Sequence, residues 1–279
     1  MTTSRLEPYT PSNWLYLMGL VYFPLLYVFV YSLLKGLLPS RLSTPYIVTL
    51  SMRLVGSLQS LAACISGVYI VSRCRGDIMR DTCWLTNAFA KFCTCYFLID
   101  LYVMYLSYVE LNRLEGTALK KDDFRESKAV VESPWRRDVK AFLRRNKLMA
   151  FHHLVLPLVF GPCVILRDGV GDFFVGALYL VEASNPFVNL RAVLRMLDYH
   201  KTMLYVVNGI VMMAVFFMCR IAIFPFLYSA YAKFEGISFM AVPAAIPFKC
   251  NLGCLVLMSM QVYWFMLMIK GLIKILRSK

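Results

Sequence analysis

The chain reads as an all-α polytopic membrane protein with about seven transmembrane helices, and three observations lead there. Hydrophobic residues make up 59% of the 279 positions and charged residues only 16%, against about 25% charged in a soluble domain. The apolar runs are each long enough to cross a hydrocarbon core of about 30 Å, which takes roughly 20 helical residues. No run alternates polar and apolar residues over ten positions, as the strands of a membrane barrel do. An open sheet leaves its edge groups unsatisfied in lipid, so the runs are helices.

In chain order the runs are 14–34, 46–71, 84–109, 148–166, 172–190, 203–228 and 240–269. The first follows a mixed-charge start (Arg5, Glu7) and precedes Pro39 and Arg41. Its length fits a signal-anchor span better than a short cleavable leader. Residues 1–44 form this anchor and its loop, 45–270 one domain of about six spans, and 271–279 a basic cytosolic tail. Within the domain, 111–147 is the one sizeable hydrophilic segment. Its second half carries Arg136, Arg137, Lys140, Arg144, Arg145 and Lys147, interleaved with Trp135, Phe142 and Leu148. That pattern reads as an amphipathic stretch at the membrane interface. It serves either as a topology anchor or as an electrostatic dock for acidic lipid or an acyl-CoA phosphate.

The net charge of +14 is a topology signal and a contact with anionic lipid. No nucleic-acid motif accompanies it, so nucleic acid is excluded as a partner. With seven spans most of the thirty basic residues fall on one side: the 111–147 segment, Lys35, Arg41, Arg191, Arg195, Lys201 and the tail. Positive-inside orientation then puts the C-terminus in the cytosol and the N-terminus across the membrane. Six spans would break that asymmetry. The nine cysteines show no zinc-type spacing, so no metal or resident cofactor is expected. Cys74 and Cys83 flank a short loop on the non-cytosolic side, where a disulfide and a pair of thiols are both open.

Ionisable groups at membrane depth cost at least about 2.5–3.5 kcal/mol each, which makes them functional candidates. His152 and His153 open the fourth run and point about 100° apart on a helix. Near neutrality an imidazole suits general-base work or acyl carriage; the bland alternative is two histidines at headgroup level. Glu182, Asn185 and Asn189 line one face of the fifth run, either facing a cavity or gluing helices together. Asp172 starts the same run and is also a natural helix cap. Asp100 with Arg53, and Glu182 with Arg220, are two ion pairs that composition allows. Asn208, Asn251 and Gln261 add further polar groups inside spans.

The ordered set Phe151-His152-His153, Gly171-Asp172-Phe173-Phe174, Glu182-Ala183-Ser184-Asn185-Pro186-Phe187, Asn208-Gly209, Cys219-Arg220, Phe224-Pro225-Phe226-Leu227-Tyr228, Ile246-Pro247 and Gln261-Val262-Tyr263-Trp264-Phe265 resembles the TLC-domain family. That family includes the ceramide synthases and the translocon-associated TRAM proteins. The resemblance covers residues 45–270 and is nearest to the TLC domain-containing protein 3 branch. It implies a helical barrel around a lipid-accessible cavity, the endoplasmic reticulum membrane (with Golgi and plasma membrane as alternatives), lipid homeostasis and ceramide formation. One departure stands out. Ceramide synthases carry a second His-Asp element with another Asp three residues on. Here the stretch reads Val181-Glu182-Ala183-Ser184-Asn185, without the histidine and with an amide in place of the second acid.

Two functions follow as expectations. In one, the protein N-acylates a sphingoid base from fatty acyl-CoA. His152, His153 and Glu182 are then catalytic, and Asp100, Asp172, Asn185, Asn189, Asn208 and Arg220 bind substrate. In the other, it is a non-catalytic sensor or regulator of membrane lipid composition. Membrane lipids are the expected partners in both, with homo- or hetero-oligomers of TLC proteins as further assemblies.

Overall fold

The computed structural model describes residues 13–38, 43–119, 134–167 and 169–277, with side chains left undescribed at 114–119, 134 and 274–276. Among the described residues there is no strand; helix dominates throughout. The helices are α1 (Trp14–Leu37), α2 (Thr44–Arg73), α3 (Trp84–Leu119), α4 (Pro134–Arg145), α5 (Lys147–Ile165), α6 (Asp172–Tyr179), α7 (Asn185–Met196), α8 (Met203–Glu235), α9 (Val242–Ala245) and α10 (Phe248–Arg277).

Six continuous stretches among the described residues are long and apolar enough to cross a membrane: α1, α2, residues 84–113 of α3, α5, α8 and residues 248–273 of α10. Their outer faces are apolar: Leu17, Val21, Leu25 and Val28 of α1 are all exposed, a surface that suits lipid and not water. The chain is thus a multi-pass membrane protein. The expected fifth span is not among the six. Residues 172–196 form α6, a 3₁₀ turn at Leu180–Ser184, and α7, so the stretch is helical but broken.

The break has a cause legible in the residues. A proline lacks the N–H that would bond the carbonyl four residues back, and its ring crowds that carbonyl. Pro186 stands four after Glu182, and the 3₁₀ turn ends two residues before Pro186. Pro157 stands four after His153, inside a π turn at Leu156–Phe160 of α5. Pro225 stands four after Ile221, the last residue of a π turn at Phe217–Ile221 of α8 that contains Arg220. Each irregularity lies beside a candidate ionisable residue, a common setting for π turns.

The described chain divides into two compact units, Met1–Gly56 with Asn87–Asp168, and Ser57–Thr86 with Gly169–Lys279. In the first, Phe23, Tyr27 and Val30 line one face of α1 and pack against Met52, Val55 and Tyr96. The amphipathic helix α4 belongs to this unit. Phe142 is its buried anchor, edge-on to Tyr105 and tilted against Tyr108. Trp135 and the residues Arg136, Arg137, Lys140, Arg144 and Arg145 stay exposed.

In the second unit the core joins Ile70 and Cys74 to Ile78, Cys83, Phe173 and Ala177, and to Ile223, Phe224 and Leu227 of α8. Two glycines let α2 and α6 touch: a Cβ on Gly67 would lie 2.6 Å from the Gly176 carbonyl oxygen, and one on Gly176 would lie 2.7 Å from Ile70. Small residues at such a crossing let membrane helices gain dispersion contacts at close range. Cys74 and Cys83 share this core as buried thiols, not as a disulfide. Burial pushes the Cys83 thiol pKa up.

Candidate functional site

Two buried polar clusters stand out, one in each unit. In the first unit, Asp100 on α3 is 6% exposed. The Tyr27 hydroxyl donates to its Oδ1. His153 Nδ1 lies 3.5 Å from Asp100 Oδ2 and 3.3 Å from the Phe97 carbonyl oxygen. A carbonyl can only accept, so Nδ1 carries the hydrogen and the lone pair of the neutral ring sits on Nε2. The Phe97 ring packs edge-on to the imidazole, 5.9 Å between centroids. Arg53 of α2 is within electrostatic reach of Asp100 and Tyr96. His152 is half-exposed and its ring meets that of His153 at 5.8 Å. His153 is thus brought to a carboxylate.

In the second unit, Glu182 accepts from Ser60 Oγ at 3.2 Å and from the Asn185 amide. The other end of that amide accepts from Arg220 at 2.7 Å. Arg220 is 5% exposed and also donates to Ser184 Oγ at 2.8 Å and Gln261 Oε1 at 3.1 Å. Glu182 and Arg220 attract one another, but the amide stands between them. An amide fits that place because it donates at one end and accepts at the other. A carboxylate there would meet Glu182 acceptor to acceptor.

The remaining predicted residues are placed as follows. Asn189 Nδ2 donates to Ser57 Oγ at 3.1 Å. Asn208 Nδ2 donates to the Phe187 carbonyl at 3.0 Å, tying α8 to α7. Asn251 Nδ2 donates to the Pro243 carbonyl at 2.7 Å, and its Oδ1 accepts from the Tyr228 hydroxyl at 2.8 Å. Asp172 is 2% exposed and accepts from the Cys83 N–H at 2.6 Å and the Thr86 hydroxyl at 3.1 Å. It therefore braces the start of α3. Among the described residues no cluster of three or more metal-type ligands occurs.

Sequence reasoning does not find Tyr27, Ser60 or Ser184. Hydroxyls are common in apolar helices, and nothing local marks the ones that meet a charge. A usable signal does exist for two of the other members: a proline stands four positions after both His153 and Glu182.

Residues 49–270 match the TLC domain, and the chain belongs to the TLC domain family. Among its relatives, human TLC domain-containing protein 4 is 32% identical over 136 residues, 47% of this chain and 50% of that protein. The Danio rerio TLC domain-containing protein 4-B is 33% identical over 133 residues, 46% and 48% of the two chains. The Xenopus laevis TLC domain-containing protein 4-A is 29% identical over 137 residues, 48% and 52%. The chain spans about half the length of the curated relatives it matches. No solved structure matches it.

Proposed function

We propose that this protein is a membrane-embedded lipid N-acyltransferase of the ceramide synthase type, with His153 as the general base. The Asp100–His153 pair carries the reading. A buried carboxylate orients the imidazole through Nδ1 and stabilises the imidazolium that forms when Nε2 takes a proton, the logic by which a catalytic acid supports a catalytic histidine. The sphingoid amine attacks the acyl thioester carbonyl and loses a proton to Nε2. The C–S bond breaks, and the departing CoA thiolate takes the proton back. Products are the amide and CoA. Asp100, on α3, replaces the second His-Asp element that residues 181–185 lack.

His152, Asp172, Glu182, Asn185, Asn208 and Arg220 support this reading by position in the family motifs, and Asn189 by sharing a helix face with Glu182 and Asn185. The endoplasmic reticulum membrane and the placement beside TLC domain-containing protein 3 rest on those motifs alone. The broken 172–196 stretch is the seventh crossing in this reading: its 25 residues span about 37 Å as helix, and only an odd count preserves the basic asymmetry between sides. A glycosylation tag at the C-terminus should then stay unmodified, and its modification would overturn the topology.

The test is CoA release and N-acyl product from purified, reconstituted protein given a long-chain acyl-CoA and sphinganine. His153→Ala should abolish both while the variant stays monodisperse and helical; full activity in that variant overturns the assignment. A second reading, a non-catalytic lipid sensor or regulator, is favoured by the closed pairing of Glu182 and Arg220 through Asn185. It is supported if lipid co-purifies and no CoA is released.

A further inference from the structure

We propose that Arg191 and Arg195, seated on Tyr205, form a binding site for the phosphate of an amphiphile. The two arginines are one turn apart on α7 and converge on one residue at the start of α8. The Arg191 guanidinium lies 3.9 Å from the centroid of the Tyr205 ring, the stacked arrangement that orients a guanidinium without consuming its N–H groups. Its NH1 donates to the Tyr205 carbonyl at 3.2 Å. Arg195 NH2 donates to the Tyr205 hydroxyl at 2.8 Å. Among the described residues the other donors of both guanidinium groups meet no protein acceptor. The nearest sequence acid, Asp198, pairs with His200 at 2.9 Å.

Gly209 makes the seat. A Cβ there would run into Arg191 NH1 and come within 3.3 Å of its central carbon, so α8 leaves a notch for the guanidinium. Tyr205 itself is 4% exposed, a rigid platform. Like charges one helical turn apart repel, so an anion held between the two guanidinium groups relieves a real cost. Leu190, Leu197, Met203 and Leu204, close in the chain to the two arginines or to Tyr205, are exposed. Paired forks that match phosphate oxygens, with apolar side chains near them in the chain, select a phosphate that carries an acyl chain: a phospholipid headgroup or an acyl-CoA. The site lies outside the residues assigned to N-acylation and does not depend on that reading.

The experiment is a titration of the full chain, purified in detergent, by native mass spectrometry, with dioctanoyl phosphatidic acid and palmitoyl-CoA as separate probes and dioctanoylglycerol as the phosphate-free control. Arg191→Gln and Arg195→Gln should each weaken binding about tenfold, the scale of one charge-assisted contact. Gly209→Ala, which changes no charge, should weaken it comparably, and Arg191→Lys several-fold through loss of the fork. Lys201→Gln removes the same charge nearby and should change it less than about twofold. Preference for either phosphate probe with this mutant pattern supports the site and identifies its source as headgroup or acyl-CoA. Equal losses in Lys201→Gln and Arg191→Gln, wild-type affinity in Arg191→Lys, or no preference over dioctanoylglycerol each overturns it. N-acylation measured on the same preparations separates failure of this site from failure of the catalytic assignment.

Discussion

The two buried clusters contain similar chemistry and are wired differently. At Asp100 a carboxylate holds an imidazole through one oxygen and a phenol through the other, and the second imidazole nitrogen keeps a lone pair for a proton. At Arg220 a guanidinium is spent on a serine, a glutamine and an asparagine, and the facing acid is spent on a serine and the same asparagine. The first arrangement engages the imidazole through Nδ1 and leaves Nε2 without a bonded partner among the described residues. The second closes on itself, with an amide as spacer. A network with its groups matched specifies which helices meet. The proposed general base lies in the first of these clusters.

The comparison breaks first at His153. Its replacement by Ala should cost at least about 100-fold in N-acylation rate, the lower end for a general base; Asp100→Asn should lose rate with product identity unchanged. The opposite result is expected at Arg220. Arg220→Ala leaves a buried acid network without its cation and should cost about 3–5 kcal/mol, read as a fall in melting temperature and in monodisperse yield. Arg220→Lys should recover only part of this, since a single ammonium cannot reach three acceptors in a fork.

Smaller effects sharpen the contrast. Asn185→Asp would place two carboxylates side by side. It should destabilise the protein by about 1–3 kcal/mol, the cost of an unmatched buried group, in the same melting assay. Asp172→Ala should cost a similar amount by freeing the Cys83 N–H and Thr86 hydroxyl at the start of α3, while Asp172→Asn, which keeps an acceptor, should cost less. The smallest effect concerns Cys83. Its raised pKa leaves less thiolate at any given pH, so maleimide labelling of the native protein should trail that of exposed Cys163 and Cys250, and should rise only at more alkaline pH. Mass mapping without reductant should show no Cys74–Cys83 bridge.

Much of this architecture is legible in the amino-acid sequence. The helical spans follow from run length, and the intramembrane ionisable residues Asp100, His153, Glu182 and Arg220 follow from their cost in lipid. Asp100 with Arg53 and Glu182 with Arg220 are pairings that composition allows, but their depth in the bundle, which decides whether they meet, is not written in the sequence. An unbroken fifth span is where sequence and fold part: hydropathy reports burial in lipid and is blind to the carbonyl that Pro186 strips of its donor. Asp172 is readable as a helix-cap residue; that it also holds the start of α3 is not.

Composition and periodicity, then, determined the class, the spans and the short list of costly residues, since each depends on a residue and its near neighbours in the chain. Tertiary structure alone decided the partners: Asp100 for His153, far apart in the chain, Asn185 between Glu182 and Arg220, and Tyr205 beneath Arg191 and Arg195. Those choices depend on how helices are rotated and shifted along one another, and a shift of a single residue turns a side chain by about 100°. No local pattern encodes that register. It emerges only when every helix finds the packing that satisfies all its buried polar groups at once.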